Sequence, residues 1–236
     1  MNLWKDSIIN GVTVTSSGTT GTPKKIFRSP QNIAEVSKVA NEAQKITKDS
    51  RILTVTSLDH AGGLLAQTIP AYIMGAVVHA TTFKPFSFLK EFRNFTHTFL
   101  TPTQMGALIK TKTFKDYDLS GKRILGGSDP IPWDYIEAFV NQGALVQPNW
   151  GMSEIGPITI NCEIDSIEKF NHYKERAPRL PHTIPTILGD TFYCQKKIID
   201  GELVVRGPLC YKLGWLETGD IVEEVDNILY FHRRKE

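Results

Sequence analysis

Between residues 50 and 150, short apolar runs alternate with helix-like stretches, and no other feature narrows the choice of fold as far. The runs at 52–56, 76–80, 97–100, 123–125 and 144–147 have the length and apolar character of buried strands. Helix candidates lie at 31–47, 64–74, 86–93, 103–110 and 132–141. In the first, Ile33, Val36, Val39, Ala40, Ala43 and Ile46 share one face, and Ser29-Pro30 supplies a cap and a first-turn proline. In the last, Pro130 and Pro132 set the start, Trp133, Ile136, Phe139 and Val140 the buried stripe, and Gly143 the stop. Strands and helices alternating at this pitch demand parallel pairing through right-handed crossovers. The expected fold class is therefore α/β, a layered sheet with flanking helices.

Beyond residue 155 the texture changes. The segments 197–199 and 202–205 flank Asp200-Gly201, and 221–225 and 228–232 flank Asp226-Asn227, so each pair predicts a β-hairpin. The organisation expected is an α/β core over 1–154 and a β-rich subdomain over 155–236 packed on it. The polar, proline-containing stretch 165–185 reads as a loop region.

A formal charge of +2 gives no electrostatic case for nucleic acid or an anionic membrane as a partner. No stretch approaches the roughly 18 apolar residues of a membrane-spanning helix, and the first residues lack an apolar signal core. Cys162, Cys194 and Cys210 are widely spaced and form no C-x-x-C pair, which argues against a zinc site or a disulfide framework. Three buried structural cysteines in a reducing cytoplasm are expected.

The chemistry concentrates in a few loops. After the strand-like 12–15 comes Ser16-Ser17-Gly18-Thr19-Thr20-Gly21-Thr22-Pro23-Lys24. Glycines that tolerate positive φ, several hydroxyls and successive N–H groups can wrap an anion, with Lys24 adding charge. The alternative is a solvent-exposed hairpin turn. It is not the G-x-x-x-x-G-K-[ST] loop, because Pro23 precedes the lysine and Lys25 follows it. No G-x-G-x-x-G with a downstream acid and no G-x-S-x-G elbow is present, which removes a dinucleotide dehydrogenase and a serine hydrolase.

The segment 15–24 resembles the phosphate loop of the adenylate-forming superfamily, which includes acyl- and aryl-CoA ligases and the adenylation domains of peptide synthetases. Further motifs follow in that family's order. His60-Ala61-Gly62-Gly63 is similar to the H-x-G-G segment of the o-succinylbenzoate–CoA ligase branch, and Gly126-Gly127-Ser128-Asp129 to a turn between acyl and adenine sites. Asn149-Trp150-Gly151-Met152-Ser153-Glu154 resembles the aromatic-Gly-x-[Ser/Thr]-Glu signature. The strand beginning Gly201-Glu202 matches an architectural one, Gly219-Asp220 a ribose-binding signature, and the residues around Arg234 the approach to a hinge. For each an ordinary structural role stands as the alternative: an interface histidine, a helix cap at Asp129, a buried tryptophan, a salt-bridged Glu154, a turn aspartate.

The resemblance implies a division of labour. Ser16, Ser17, Gly18, Thr19, Thr20, Gly21 and Lys24 would hold the phosphates of ATP, and Gly127, Ser128, Gly151 and Met152 would line the nucleotide site. Trp150 would stack on adenine in place of the usual tyrosine, and Asn149 would offer its amide to the base. Asp220 would accept from the ribose hydroxyls, and Arg234 would contact ribose and phosphate. Ser153 would bond the α-phosphate, Glu154 would hold Mg²⁺, and His60 would orient the substrate carboxylate. Phe83, Gly126 and Ser128 would border an acyl pocket that suits aryl or short aliphatic acids.

The family's mobile C-terminal domain, which supplies a lysine for adenylation and admits the thiol, has no counterpart before residue 236. Loss of one preorganised charge costs about 10²- to 10³-fold in rate, so acyl-adenylate formation remains the expectation and CoA thioester formation by this chain alone is doubtful. A non-catalytic ATP, AMP or acyl-adenylate binding protein is the alternative. So is half of a split ligase completed by a separate C-terminal domain or a second subunit.

Overall fold

The computed structural model describes residues 3–15, 24–179 and 184–235. Helix α1 (Leu3–Asn10) leads into β1 (Val12–Thr15), which pairs antiparallel with β2 (Lys25–Arg28) as a two-stranded ribbon. Helix α2 (Pro30–Gln44) begins at Ser29, whose Oγ accepts from Asn32 N–H at 3.2 Å, with Pro30 in the first turn as its ring geometry favours. There follow β3 (Arg51–Thr54), α3 (Ala61–Gly63), a π-helical turn (Leu64–Thr68), α4 (Ile69–Met74), β4 (Val77–Ala80), α5 (Pro85–Phe92) and β5 (His97–Leu100). Next come α6 (Pro102–Ile109), β6 (Arg123–Gly126), α7 (Trp133–Asn141), β7 (Leu145–Met152) and β8 (Gly156–Asn161). The chain continues through α8 (Ile167–Arg176), β9 (Thr186–Gly189), β10 (Thr191–Phe192), β11 (Gln195–Ile199), β12 (Glu202–Arg206), β13 (Leu216–Val225) and β14 (Ile228–Arg234).

The large sheet has seven strands in the order β10-β8-β7-β6-β5-β3-β4. All pairs from β4 to β7 are parallel, as the alternation of strands and helices requires. Strands β8 and β10 extend this sheet antiparallel. A five-stranded antiparallel sheet, β11-β12-β13-β14-β9, carries both predicted hairpins. Asp200 and Gly201 take φ of 50° and 81°, and Asp226 and Asn227 51° and 63°, the paired positive angles that a two-residue hairpin turn demands. The two sheets share a core: Trp150 and Ile160 of the first, with Ile155 of the β7–β8 turn, cluster with Leu188, Leu203, Val205, Leu216 and Leu229 of the second.

The helical stretch from Ala61 to Met74 contains Pro70, which has no N–H to donate back along the helix. The Ala66 carbonyl, four residues earlier, instead accepts from Gln44 Nε2 at 2.7 Å. The widened turn is closed by Thr68 Oγ1, which donates to Gly63 O at 2.7 Å. A buried glutamine on α2 thus completes a helix that its own sequence leaves incomplete.

Two expectations are corrected. The stretch 165–185, read as a loop, contains the ten-residue helix α8. Ser166 caps it by accepting from Lys169 N–H, an Asp165–Lys169 ion pair of 2.8 Å braces its first turn, and Phe170 and Tyr173 alone make its buried stripe. Two apolar anchors are too few to show as periodicity in a polar segment, yet Phe170 against the edge of Trp133 is enough to dock it on α7. Of the three free cysteines, Cys162 and Cys210 are buried while Cys194 is half-buried. Desolvation is the main influence on the Cys194 thiol and pushes its pKa up to about 12.

Candidate functional site

Strand β1 ends at Thr15 and β2 starts at Lys25, so the glycine–threonine segment connects the two strands of the ribbon in sequence. Ser16, Ser17, Gly18, Thr19, Thr20 and Gly21 lie outside the described residues, and Lys24 is exposed beside them. The stalk of the segment is anchored. Thr15 N–H donates to Asp59 O at 3.2 Å, and His60 Nδ1 lies 3.0 Å from Thr15 O. Exposed His60, immediately ahead of α3, therefore sits where the chain enters the glycine–threonine segment.

From His60 a series of close approaches runs along the carboxyl ends of the parallel strands. A Cβ on Gly62 would lie 3.2 Å from the Phe99 ring and 3.3 Å from Ser128 Oγ, and one on Gly63 would lie 2.0 Å from Ser57 O. Glycine is required at 63 because α3 abuts the backbone leaving β3, while Gly62 packs closely on Phe99 and the turn after β6. That turn bends sharply, with Ser128 at φ 77°. A Cβ on Gly127 would lie 2.7 Å from both Asn149 Nδ2 and Asn149 O. Asn149 Oδ1 accepts from Ile158 N–H at 2.5 Å and holds Ile158 at φ 64°, an unusual angle for a β-branched residue. Its oxygen is engaged within the fold, and its Nδ2 faces the Gly127 turn.

Trp150 and Met152 are in β7, and Ser153 and Glu154 occupy the half-buried turn to β8. Gly151 is needed for that turn, since a Cβ would meet Gly156 O at 2.1 Å. Glu154 O accepts from Tyr211 N–H at 2.9 Å, which ties the turn to the segment after β12. Among the described residues no group of three or more His, Cys, Asp or Glu could enclose a metal. One carboxylate beside hydroxyls and phosphates still suits Mg²⁺, which keeps waters and binds through few protein ligands.

Trp150 is 7% exposed, and its Nε1–H donates to Asp220 Oδ2 at 2.8 Å. Asp220 Oδ1 accepts from Arg234 Nη1 at 2.5 Å, and Arg234 also donates to Thr218 O at 3.0 Å. The structure thus brings Trp150, Asp220 and Arg234 into direct contact, while exposed Arg233 donates to Arg234 O instead. Phe83 lies apart, against the core beneath α5 and packed on Phe88.

Two residues of this region did not stand out in the sequence as functional. Glu202 Oε1 accepts from Gly219 N–H at 2.8 Å and Oε2 pairs with Lys235 at 2.7 Å, so this carboxylate, held below its usual range chiefly by Lys235, shapes the turn before Asp220. Arg28 is fully buried. Its Nη1 donates to Asn32 Oδ1 and Leu209 O, both at 2.8 Å, while Nε and Nη2 have no partner among the described residues. Burial lowers its pKa to about 10, partly offset by the charges of Cys210 and Glu154. The signal was present in Lys25-Ile26-Phe27-Arg28, where alternation puts Arg28 on the inward face with Ile26.

Two cavities, of about 390 and 410 Å³, open elsewhere, beside Gln142 and Gly143 and beside His97, Lys122 and Arg123 near the amino ends of the parallel strands. None of the candidate site residues lines them. His60, the Ser128 turn and Asn149 instead lie toward the carboxyl ends of β3, β6 and β7, where open α/β sheets receive ligands. No helix among the described residues is long and apolar enough to cross a membrane.

Comparison with known proteins agrees with this geometry. The AMP-binding enzyme family model matches residues 12–213. An indoleacetate–CoA ligase of Aromatoleum aromaticum is 30% identical over 224 residues, covering 87% of this chain and 44% of the relative. Among solved structures, an adenylation domain of a keto acid-selecting peptide synthetase module bound to keto acyl adenylate superposes with a TM-score of 0.80 at 18% identity, over 95% of this chain and 51% of that one. The o-succinylbenzoate CoA synthetase of Bacillus subtilis, bound to a product analogue, gives 0.78 at 22% identity, over 97% and 50%. The chain thus spans about half the length of the proteins it matches, and the match runs from the β1–β2 ribbon through to the loop after β12: it belongs to the AMP-binding enzyme family.

Proposed function

We propose that this chain binds ATP and takes part in activating a carboxylic acid as its acyl-adenylate, in the manner of an acyl- or aryl-CoA ligase. The observation that supports this most directly is the continuous line of contacts from Thr15 through His60, the Ser128 turn and Asn149 to Trp150, Asp220 and Arg234. These contacts link Thr15, where the chain enters the glycine–threonine segment, to Asp220 through residues of β7 and the turn after β6, which supports reading them as one extended nucleotide site.

In this reading Ser16–Gly21 and Lys24 receive the phosphates, Gly127, Ser128, Asn149 and Trp150 border the base, and Asp220 and Arg234 meet the ribose. Ser153 faces the α-phosphate and Glu154 would hold Mg²⁺, which supplies positive charge to the phosphates when bound. His60 orients the carboxylate. One carboxylate oxygen attacks the α-phosphorus, the new C–O–P bond forms, and the bond to the β-phosphate oxygen breaks to release pyrophosphate. The protein's part is to hold the reactants in line and spread the negative charge. An aryl acid is the proposed substrate class, since His60-Ala61-Gly62-Gly63 is similar to the H-x-G-G segment of the o-succinylbenzoate–CoA ligase branch and the 30% identical relative is an indoleacetate–CoA ligase.

Carboxylate-dependent exchange of labelled pyrophosphate into ATP tests the proposal across a panel of aryl and aliphatic acids. Exchange by the protein, depressed at least about 100-fold in Glu154→Ala and Lys24→Ala, is the expected result. Exchange that appears only when a family C-terminal domain is added would assign this chain to part of a split ligase, with thioester formation from CoA depending on that domain. Nucleotide binding without exchange in either arm would leave a binding protein and refute the catalytic reading.

A further inference from the structure

Trp150 does something that a stacking aromatic need not do. Tyrosine and phenylalanine offer a π-face, but only the indole carries an N–H on its ring edge. That N–H points at Asp220 Oδ2, and both residues are almost wholly enclosed, at 7% and 3% exposure. The indole is buried in one apolar cluster with Ile155, Leu203, Leu216 and Leu229, packing that opposes release of the bond. Asp220 is held from behind as well: its own N–H donates to Thr218 Oγ1 at 3.0 Å, and that hydroxyl donates to Leu203 O at 2.7 Å.

The two carboxylate oxygens are therefore unequal. Oδ2 is engaged by a rigid, buried donor. Oδ1 is engaged by Arg234, whose side chain is 39% exposed and can rotate away or share the oxygen. We infer that Trp150 is a positioning residue for ribose: by occupying Oδ2 it fixes the carboxylate plane and leaves Oδ1 as the acceptor for a ribose diol, in exchange with Arg234. The inference rests on the proposed nucleotide site and assigns Trp150 a role besides contact with the base. A phenylalanine there would keep an aromatic surface and lose the lock.

Titration calorimetry with AMP and with 2′,3′-dideoxyadenosine 5′-monophosphate separates the two roles. The ratio of the two affinities reports the ribose hydroxyls alone, because loss of base contact affects both nucleotides equally. Trp150→Phe is expected to lower the wild-type preference for AMP about 10-fold, the worth of roughly one hydrogen bond. Trp150→Leu, which has no side-chain donor at all, should do the same and guards against a folding defect peculiar to one variant. In the wild type labelled with ¹⁵N-tryptophan, and assigned by substituting the other three tryptophans, the Trp150 indole signal should shift with AMP and far less with the dideoxy nucleotide. An unchanged affinity ratio in either folded variant, or an indole signal indifferent to the ribose hydroxyls, overturns the inference while leaving the nucleotide site intact. Failure of the wild type to bind AMP at all would remove the nucleotide site and this role together.

Discussion

Replacing Gly151 by alanine tests whether that glycine serves the fold of the turn rather than a ligand. Gly151 does not have the positive φ that would make alanine conformationally costly. On backbone entropy alone the substitution would stabilise by about 0.4–1 kcal/mol. The added Cβ, however, would lie 2.1 Å from Gly156 O, 2.9 Å from Pro157 Cα and 3.0 Å from Gly156 C. All three are backbone atoms, so no side chain can swing aside, and β8 must move by more than an ångström to restore normal contact. Overpacking of that kind costs about 1–3 kcal/mol, at the upper end where backbone has to shift. A net loss of roughly 2 kcal/mol follows from these two terms. Gly121→Ala is the control: its φ of 74° makes alanine strained, but nothing lies within 4 Å of the new Cβ, so about 1 kcal/mol is expected. Urea unfolding of the three proteins, with equal slopes, measures the difference. Equal stability of Gly151→Ala and wild type, or a smaller loss than in Gly121→Ala, would refute the steric argument.

Two further outcomes follow from buried polar groups. His97 Nε2 lies 3.0 Å from Gln44 O, and desolvation lowers its pKa from 6.5 to about 4, despite that bond. The unfolded chain thus takes up a proton that the folded one refuses, so this stability is fully present above about pH 6.5 and is lost as pH falls toward 4. Urea midpoints should drop across that window, and His97→Gln should flatten the drop. Gln44→Ala removes the donor that replaces the missing Pro70 N–H and leaves Ala66 O unsatisfied, which should cost about 2–4 kcal/mol in the same assay. A loss below about 0.5 kcal/mol would mean that the π-helical turn satisfies itself.

Much of the architecture was legible because it depends on local pattern. The alternation from 52 to 147 sets parallel pairing through the handedness of crossovers, and Asp200-Gly201 and Asp226-Asn227 mark hairpin turns through the positive φ they tolerate. The order of the glycine-bearing motifs also read correctly as that of an AMP-binding enzyme, because each needs residue types that few alternatives supply. Helix α8 escaped notice because two buried rings, Phe170 and Tyr173, carry its docking and polar residues make up the rest.

Only tertiary structure decided which groups face one another. The pairing of Asp220 with Trp150, 70 residues away, depends on the packing of the antiparallel sheet against β7 and β8, and no periodicity records such a contact. Gln44 completing a distant helix and Arg28 buried under Leu209 have the same origin. Local sequence determines which elements form, since propensity, capping and turn geometry act over a few residues. Partner choice for a buried polar group is settled by desolvation, which exists only once the layers have closed.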